Sequence, residues 1–287
     1  MLQNISFIGF GEAGRAFAWA GARAFDRKTA DAASRDEMLA AYASAGVDGA
    51  ETASAGLYGA EAALSLVTAD QALAAARDYA AFLHADALWL DMNSVAPDTK
   101  RAAAEAIEAA GGRYVDIAVL APVHPACRNV PLLVSGPHAD AALALLTTLG
   151  FSNTRRIDGD IGAASAVKMI RSVMVKGIEA LTAECVIAAE AAGVRHEVLA
   201  SLDTSETARC WADRADYNLE RMLVHGRRRA AEMEEVVKTL DALGTGSAMS
   251  RGTIQRQRVL GSLGIAAPDG LDAKLALLIN STQGRAP

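Results

Sequence analysis

The residue best suited to moving a proton in this chain is a lysine flanked by Ala, Val, Met and Ile. Lys168 stands in the run Gly162-Ala163-Ala164-Ser165-Ala166-Val167-Lys168-Met169-Ile170-Arg171-Ser172. On a helix, Ser165, Arg171 and Ser172 share its face at i−3, i+3 and i+4. Desolvation disfavours the ammonium form and a neighbouring Arg171 pushes the same way, so the amine would move toward a useful acid/base range. Arg171 could separately clamp a carboxylate or phosphate. The plain structural alternative is a lysine that lays its stem on the apolar face and keeps its charge in water. A second polar group is the loop Met92-Asn93-Ser94-Val95-Ala96-Pro97, which follows the apolar run Ala87 to Leu90. A third lies on the helical pattern around 218–240, where His225, Arg229 and Glu232 fall on one stripe with Arg228 one step away. That stripe could be an anion or substrate clamp, or an Arg–Glu network built on the i, i+4 pair Arg228 and Glu232.

These groups need a scaffold, and its first element is at the start of the chain. The run Ile5-Ser6-Phe7-Ile8 enters Gly9-Phe10-Gly11-Glu12-Ala13-Gly14, three glycines spaced G-x-G-x-x-G, before an Ala-rich helical pattern. This is the strand, tight turn and helix start that dinucleotides use. Gly9 would allow the turn, Gly11 would admit a pyrophosphate to the backbone, and Gly14 would let the helix pack on its strand. Asp26, at the end of the short strand Arg23 to Asp26, could accept the ribose hydroxyls of NAD or simply cap a helix. Its neighbours Arg27 and Lys28 could instead hold the 2′-phosphate of NADP; a carboxylate beside a phosphate is repulsive, which favours NAD. Val67 and Thr68, at the end of the strand Leu64 to Val67, either line the cofactor or merely end the strand.

Further strands are expected at Ala87–Asp91, Tyr114–Val119, Leu132–Val134 and Phe151–Ile157, separated by helices at 71–82, 97–110 and 139–149. Residues 30–56 read as a surface helix and a loop. The alternation predicts an α/β Rossmann domain with a mainly parallel sheet over residues 1–158. After Asp158-Gly159-Asp160 only helical patterns appear, which predicts an all-helical substrate and dimerisation domain over 159–287. Net charge of −6 argues against nucleic acid as the main partner. The three cysteines, Cys127, Cys185 and Cys210, have no metal-ligand spacing. Reduced thiols, no leader segment and no apolar run long enough to cross a membrane before a charge interrupts it lead to the expectation of a cytoplasmic chain with no membrane span and no metal. Long helices with Ala and Leu faces lead to the expectation of a homodimer.

At this point the residues resemble the β-hydroxyacid dehydrogenases and 6-phosphogluconate dehydrogenases. Their shared pattern is an N-terminal G-x-G-x-x-G, a D-x-[SN]-[ST]-x-x-P loop, a strand ending V-D-x-x-V, and a G-x-x-x-x-x-K-x-x-x-N helix. The matching stretches are Gly9–Gly14, Asp91–Pro97, Val115–Val119 and Gly162–Ser172. More narrowly the chain is similar to a branch with an H-x-x-R-R-x-x-E-M-x-E helix, carried by His225, Arg228, Arg229, Glu232, Met233 and Glu235. The resemblance implies hydride exchange with a nicotinamide cofactor, with Lys168 as acid/base and Asn93 touching the nicotinamide ribose or the substrate, Ser94 beside it. Two departures stand out. The family's Asn is Ser172 here, next to Arg171. The family's S-G-G substrate loop is Leu120-Ala121-Pro122, so the serine and glycines that would grip a carboxylate are missing. Leu120 and the 122–125 loop would suit an extended or more apolar substrate, and His124 either supplies a polar contact there or is solvated. Imine reduction, lyase chemistry with retained cofactor, and non-catalytic NAD(H) binding are the rivals to hydroxyl/carbonyl redox chemistry on a small molecule.

Overall fold

The computed structural model describes residues 4–205 and 211–283. Eight strands form one sheet: β1 (Ile5–Ile8), β2 (Arg23–Phe25), β3 (Asp48–Ala50), β4 (Ala62–Ser65), β5 (Leu88–Asp91), β6 (Arg113–Val119), β7 (Leu132–Ser135) and β8 (Thr154–Arg156). Their order is β3-β2-β1-β4-β5-β6-β7-β8. Every pair is parallel except β6 with β7. The strand order reverses between β1 and β4, and that is where open parallel sheets form a ligand crevice.

Alternation along each central strand divides the core. Phe7, Leu64, Leu90 and Val115 pack on one face with Phe10, Phe17, Tyr42 and Leu146. Ile8, Ala63, Trp89 and Tyr114 pack on the other with Leu57, Ala76, Ala104 and Ile107. The first face is covered by α1 (Glu12–Phe17), α2 (Arg35–Ala45) and α6 (Ala139–Thr148). The second is covered by α3 (Ala53–Leu57), α4 (Ala72–Tyr79) and α5 (Pro97–Ala109). A sheet buried on both sides needs near-continuous apolar strands, and the sequence supplies them.

Helices alone follow: α7 (Ala163–Ala191), α8 (Arg195–Ser205), α9 (Trp211–Leu243), α10 (Ala248–Gly261) and α11 (Leu271–Gln283). The chain divides into compact units at Met174/Val175, later than the boundary at 158 read from the sequence. The helical run begins with α7 at Ala163, and its first turns are hydrogen-bonded to β6 and β7 and so belong to the sheet unit. In the second unit α9 and α10 cross at two glycines. A Cβ on Gly226 would lie 2.8 Å from Gly261 Cα, and one on Gly261 would lie 2.7 Å from Gly226 Cα, so only glycine permits that approach. Lys274 of α11, buried, pairs with Asp216 of α9 at 2.8 Å.

Three element readings are corrected. Residues 30–56 contain a strand, β3, besides helices; Asp48-Gly49-Ala50 carries no apolar alternation and is held by parallel pairing to β2. The strand expected at 64–67 is Ala62–Ser65, because Ala62 and Ala63 rather than Leu66 and Val67 pair with β1 and β5. The last strand is Thr154–Arg156 rather than Phe151–Ile157; Phe151 belongs to the core beneath it.

Candidate functional site

The glycine turn is built as its spacing requires. Gly9 has φ +91°, and a Cβ there would lie 2.7 Å from Leu66 O, so both conformation and space exclude other residues. A Cβ on Gly14 would lie 2.7 Å from Gly9 O, which is how α1 packs onto its strand. Gly11 differs: a Cβ there would meet nothing within 4 Å. The open space lies at the position where a phosphate would approach, and Gly11 lines a cavity of about 340 Å³. Gly9, Asp26, Arg27, Lys28, Leu66, Val67, Thr68, Gln71 and Tyr79 line the same cavity.

Asp26 does two things there. Its Oδ2 accepts from Phe10 N at 2.8 Å and its Oδ1 from Lys28 N at 3.0 Å. It therefore caps the 3-10 turn Arg27–Ala30 and staples the glycine turn to the end of β2. Each carboxylate oxygen keeps a second lone pair for a hydroxyl donor. Arg27 reaches across to the Gln71 side-chain oxygen. Phe10 contributes its backbone to the turn, while its side chain is fully buried and packs on Tyr42.

A second cavity, of about 330 Å³, shares Leu66 and Val67 with the first. Glu12, Ala13, Met92, Asn93, Ser94, Val119, Pro122 and Lys168 line it. The two cavities thus run on from one another over the carboxyl ends of the central strands, with the glycine turn between them. This brings Lys168, Asn93, Ser94, Glu12, Ala13 and Val67 together, although they come from four separate stretches of chain.

Asn93 is 4% exposed. Its Nδ2 donates to Asp91 Oδ1 at 2.8 Å and to Ser65 Oγ at 2.9 Å. A carboxylate oxygen only accepts, so the amide orientation is fixed by chemistry. Its Oδ1 has no partner among the described residues. A buried acceptor left without a donor costs stability, and a hydroxyl of a bound ribose or substrate would satisfy it. The open Gly11 cradle and this acceptor fit a nicotinamide dinucleotide.

Lys168 is half-buried on α7, whose N-terminus is fixed from below. Gly162 has φ +106°, and a Cβ there would lie 3.0 Å from Pro97 Cβ. Ser172 turns its hydroxyl back to Lys168 O at 2.8 Å, inside the helix. Arg171 donates to Leu120 O at 3.0 Å, tying α7 to the loop after β6. Neither Arg171 nor Ser172 lines the cavity, and neither do Leu120 and His124. His124 is exposed, with Nδ1 3.9 Å from Cys127 Sγ. His225 and Arg229 are half-buried on α9 in the helical unit and line neither cavity. The side chains of Glu232 and Glu235, and all of Cys210, lie outside the described residues. Among the described residues no His, Cys, Asp and Glu group could hold a metal, and no helix is long and apolar enough to cross a membrane.

Lys100, Asp91 and Asp116 carry this site's foundations; the two aspartates lie in motif stretches that assign them no role, and Lys100 lies outside every motif. Lys100 is 0% exposed between the two aspartates. The available signal was its place on the apolar stripe of α5, three, four and seven residues before Ala103, Ala104 and Ile107.

A doubly wound sheet with a glycine turn at its switch point and a lysine-bearing helix at the inner end of the crevice defines a dinucleotide-binding domain of the kind NAD(P)-dependent oxidoreductases use. Residues 4–150 match the NAD binding domain of 6-phosphogluconate dehydrogenase, and the chain belongs to that family. Residues 189–260 match a domain of unknown function (DUF1932). A conserved hypothetical protein from Sinorhizobium meliloti is 35% identical over 98% of this chain and 97% of its own, with TM-score 0.59. A conserved protein of unknown function, described as structurally similar to 3-hydroxyacid dehydrogenases, is 26% identical over 91% of this chain and 99% of its own, with TM-score 0.54. An imine reductase from Pseudomonas sp. shares the fold at TM-score 0.73 and 18% identity, over 96% of this chain and 98% of its own. A Methanothermus fervidus protein, "Uncharacterized 28.5 kDa protein in 7S RNA 5'region", is 28% identical over 61% of this chain and 66% of its own length.

Proposed function

We propose that the chain is an NAD(P)-dependent dehydrogenase or reductase acting on a hydroxyl or carbonyl of a small β-hydroxy-acid-like molecule, with Lys168 as general acid/base. The observation that carries this is the shared lining of one cavity by Lys168, Asn93 and the glycine-turn residues Glu12 and Ala13. A bound nicotinamide supplies or accepts the hydride. Lys168 gives the substrate oxygen its proton in reduction and takes it in oxidation. Asn93, through Oδ1, orients a ribose or substrate hydroxyl; Ser94 offers a second contact. Asp26 and its two remaining lone pairs favour the unphosphorylated adenosine ribose of NAD, while Arg27 and Lys28 stand by for NADP.

Imine reduction is the second reading. The loop Leu120-Ala121-Pro122 offers no side-chain donor for a carboxylate, and Arg171 holds the Leu120 carbonyl. A neutral, apolar C=N substrate needs no such anchor.

The test is nicotinamide absorbance with hydroxy acids, ketones and cyclic imines, after fluorescence titration with NADH and NADPH. Lys168→Ala should bind cofactor within about twofold of wild type and lose on the order of a hundredfold or more in turnover. Retained turnover would overturn the lysine's role. Product formation at constant nicotinamide absorbance would replace the redox reading with a lyase, and cofactor binding without turnover on any substrate would favour a regulator.

A further inference from the structure

Strand register sets four polar side chains in a row beneath the crevice. Ser65 pairs with Asp91, Asp91 with Asp116 and Asp116 with Ser135, across four adjacent strands. All four are fully buried. Paired residues on neighbouring strands point to the same face, so the row forms one polar stripe under α5. Lys100 crosses it. Its Nζ lies 3.0 Å from Asp91 Oδ1 and 3.4 Å from Asp116 Oδ1, and donates to Asp91 O at 2.6 Å. Tyr114 OH donates to Asp91 Oδ2 at 2.6 Å. Burial, then the Asp91 charge, pushes that phenol far above its ordinary value, so it stays a donor.

Stability alone does not account for such a row, because well-packed apolar residues of similar volume often do as well as a buried ion cluster or better. Its two ends give the reason. Asp91 Oδ1 accepts from Asn93 N at 2.9 Å and from Asn93 Nδ2 at 2.8 Å. Asp116 Oδ2 accepts from Gly162 N at 3.1 Å and Ser165 N at 3.0 Å, and Ser135 Oγ accepts from Ala164 N at 3.0 Å. The sheet itself therefore caps α7, placing a carboxylate at the positive end of the helix dipole. One ammonium joins the loop of Asn93 to the helix of Lys168.

We propose that Lys100 is a positioning residue that holds Asn93 and the first turn of α7 at a fixed separation, and so sets the nicotinamide end of the crevice without touching anything bound there. This deepens the oxidoreductase reading and rests on it. Among the described residues no hydrogen bond or ion pair of the row reaches Asp26, Arg27 or Thr68, so the effect should fall on one end of the dinucleotide.

Two probes separate the ends: NADH, which would span both cavities, and ADP, which lacks both the nicotinamide and the ribose that carries it. In Lys100→Met, of similar length but uncharged, NADH affinity should fall on the order of tenfold or more and the fluorescence gain of bound NADH should be lost, because small misplacements at a reacting centre are costly. ADP affinity should stay within about twofold of wild type, as expected for uncoupled sites. Equal losses for both probes would mean a general structural role and overturn the proposal, as would unchanged binding of both. If Lys100→Met does not fold, Asp116→Asn, which keeps size and one acceptor, carries the same readout. Wild-type protein that binds neither probe would overturn the oxidoreductase reading itself, and the proposal with it.

Discussion

At the scale of single residues, the glycine motif separates into three different physical jobs, and two of them can be told apart by experiment. Gly9 is required by its positive φ and by Leu66 O at 2.7 Å from any Cβ. Gly11 is crowded by nothing in the protein, so its lack of a side chain matters only to what binds. Gly9→Ala should therefore lose about 1–3 kcal/mol of stability, seen in denaturant unfolding. Gly11→Ala should unfold as wild type does and yet bind NADH more weakly, by roughly tenfold, one misplaced phosphate contact being worth about 1.4 kcal/mol. An unchanged NADH affinity in Gly11→Ala would remove the turn from the cofactor site. The glycines were legible in sequence because the backbone geometry they serve is local. Asn93 was legible only as a member of a motif; that its Oδ1 is left over follows from Asp91 and Ser65, which lie on two different strands. Lys100, in Pro97-Asp98-Thr99-Lys100-Arg101, offers only its place on the apolar stripe of α5, since its aspartates are supplied by tertiary structure.

At the scale of elements, strong apolar strands announced themselves and the weak one did not. β1, β5 and β6 are buried along almost their whole length and stand clear in the sequence, whereas β3 is three residues with a glycine in the middle and exists through its pairing with β2. Helix termini show the same dependence on distant partners. The start of α7 is capped by Asp116 and Ser135, and the start of α10 by Glu184 of α7, which accepts from Met249 N and Ser250 N at 2.9 Å and from Ser250 Oγ at 2.7 Å. Burial would raise the Glu184 carboxyl, but the hydrogen bonds from Ser250 and Met249 outweigh it and hold it below its ordinary value. A carboxylate depressed in the folded state adds stability that is complete above the ordinary glutamate range and is lost as pH falls through the depressed value. Glu184→Gln should accordingly lower the melting temperature near neutral pH, and the gap to wild type should shrink in acid. A gap that is the same at all pH values would mean that the charge contributes nothing to the cap.

At the scale of the whole molecule, α7 presents a line of apolar side chains that one copy of the chain leaves in water. Ile170 is 71% exposed, and Met174, Ile178, Leu181 and Ile187 are exposed as well. The spacing of the first four, at i, i+4, i+8 and i+11, is that of one helix face. Single exposed apolar residues are ordinary, but a contiguous stripe on one helix is uncommon in monomers. Net charge of −6 opposes self-association only weakly at physiological salt, where the Debye length is about 8 Å. The expected assembly is a homodimer paired through α7, with sedimentation equilibrium giving twice the chain mass at micromolar concentration. Ile178→Glu with Leu181→Glu would bury two charges against a partner copy and should yield a monomer whose unfolding remains cooperative. A wild-type chain that sediments as a monomer, or a double variant that stays dimeric, would show that this stripe is not where two copies meet.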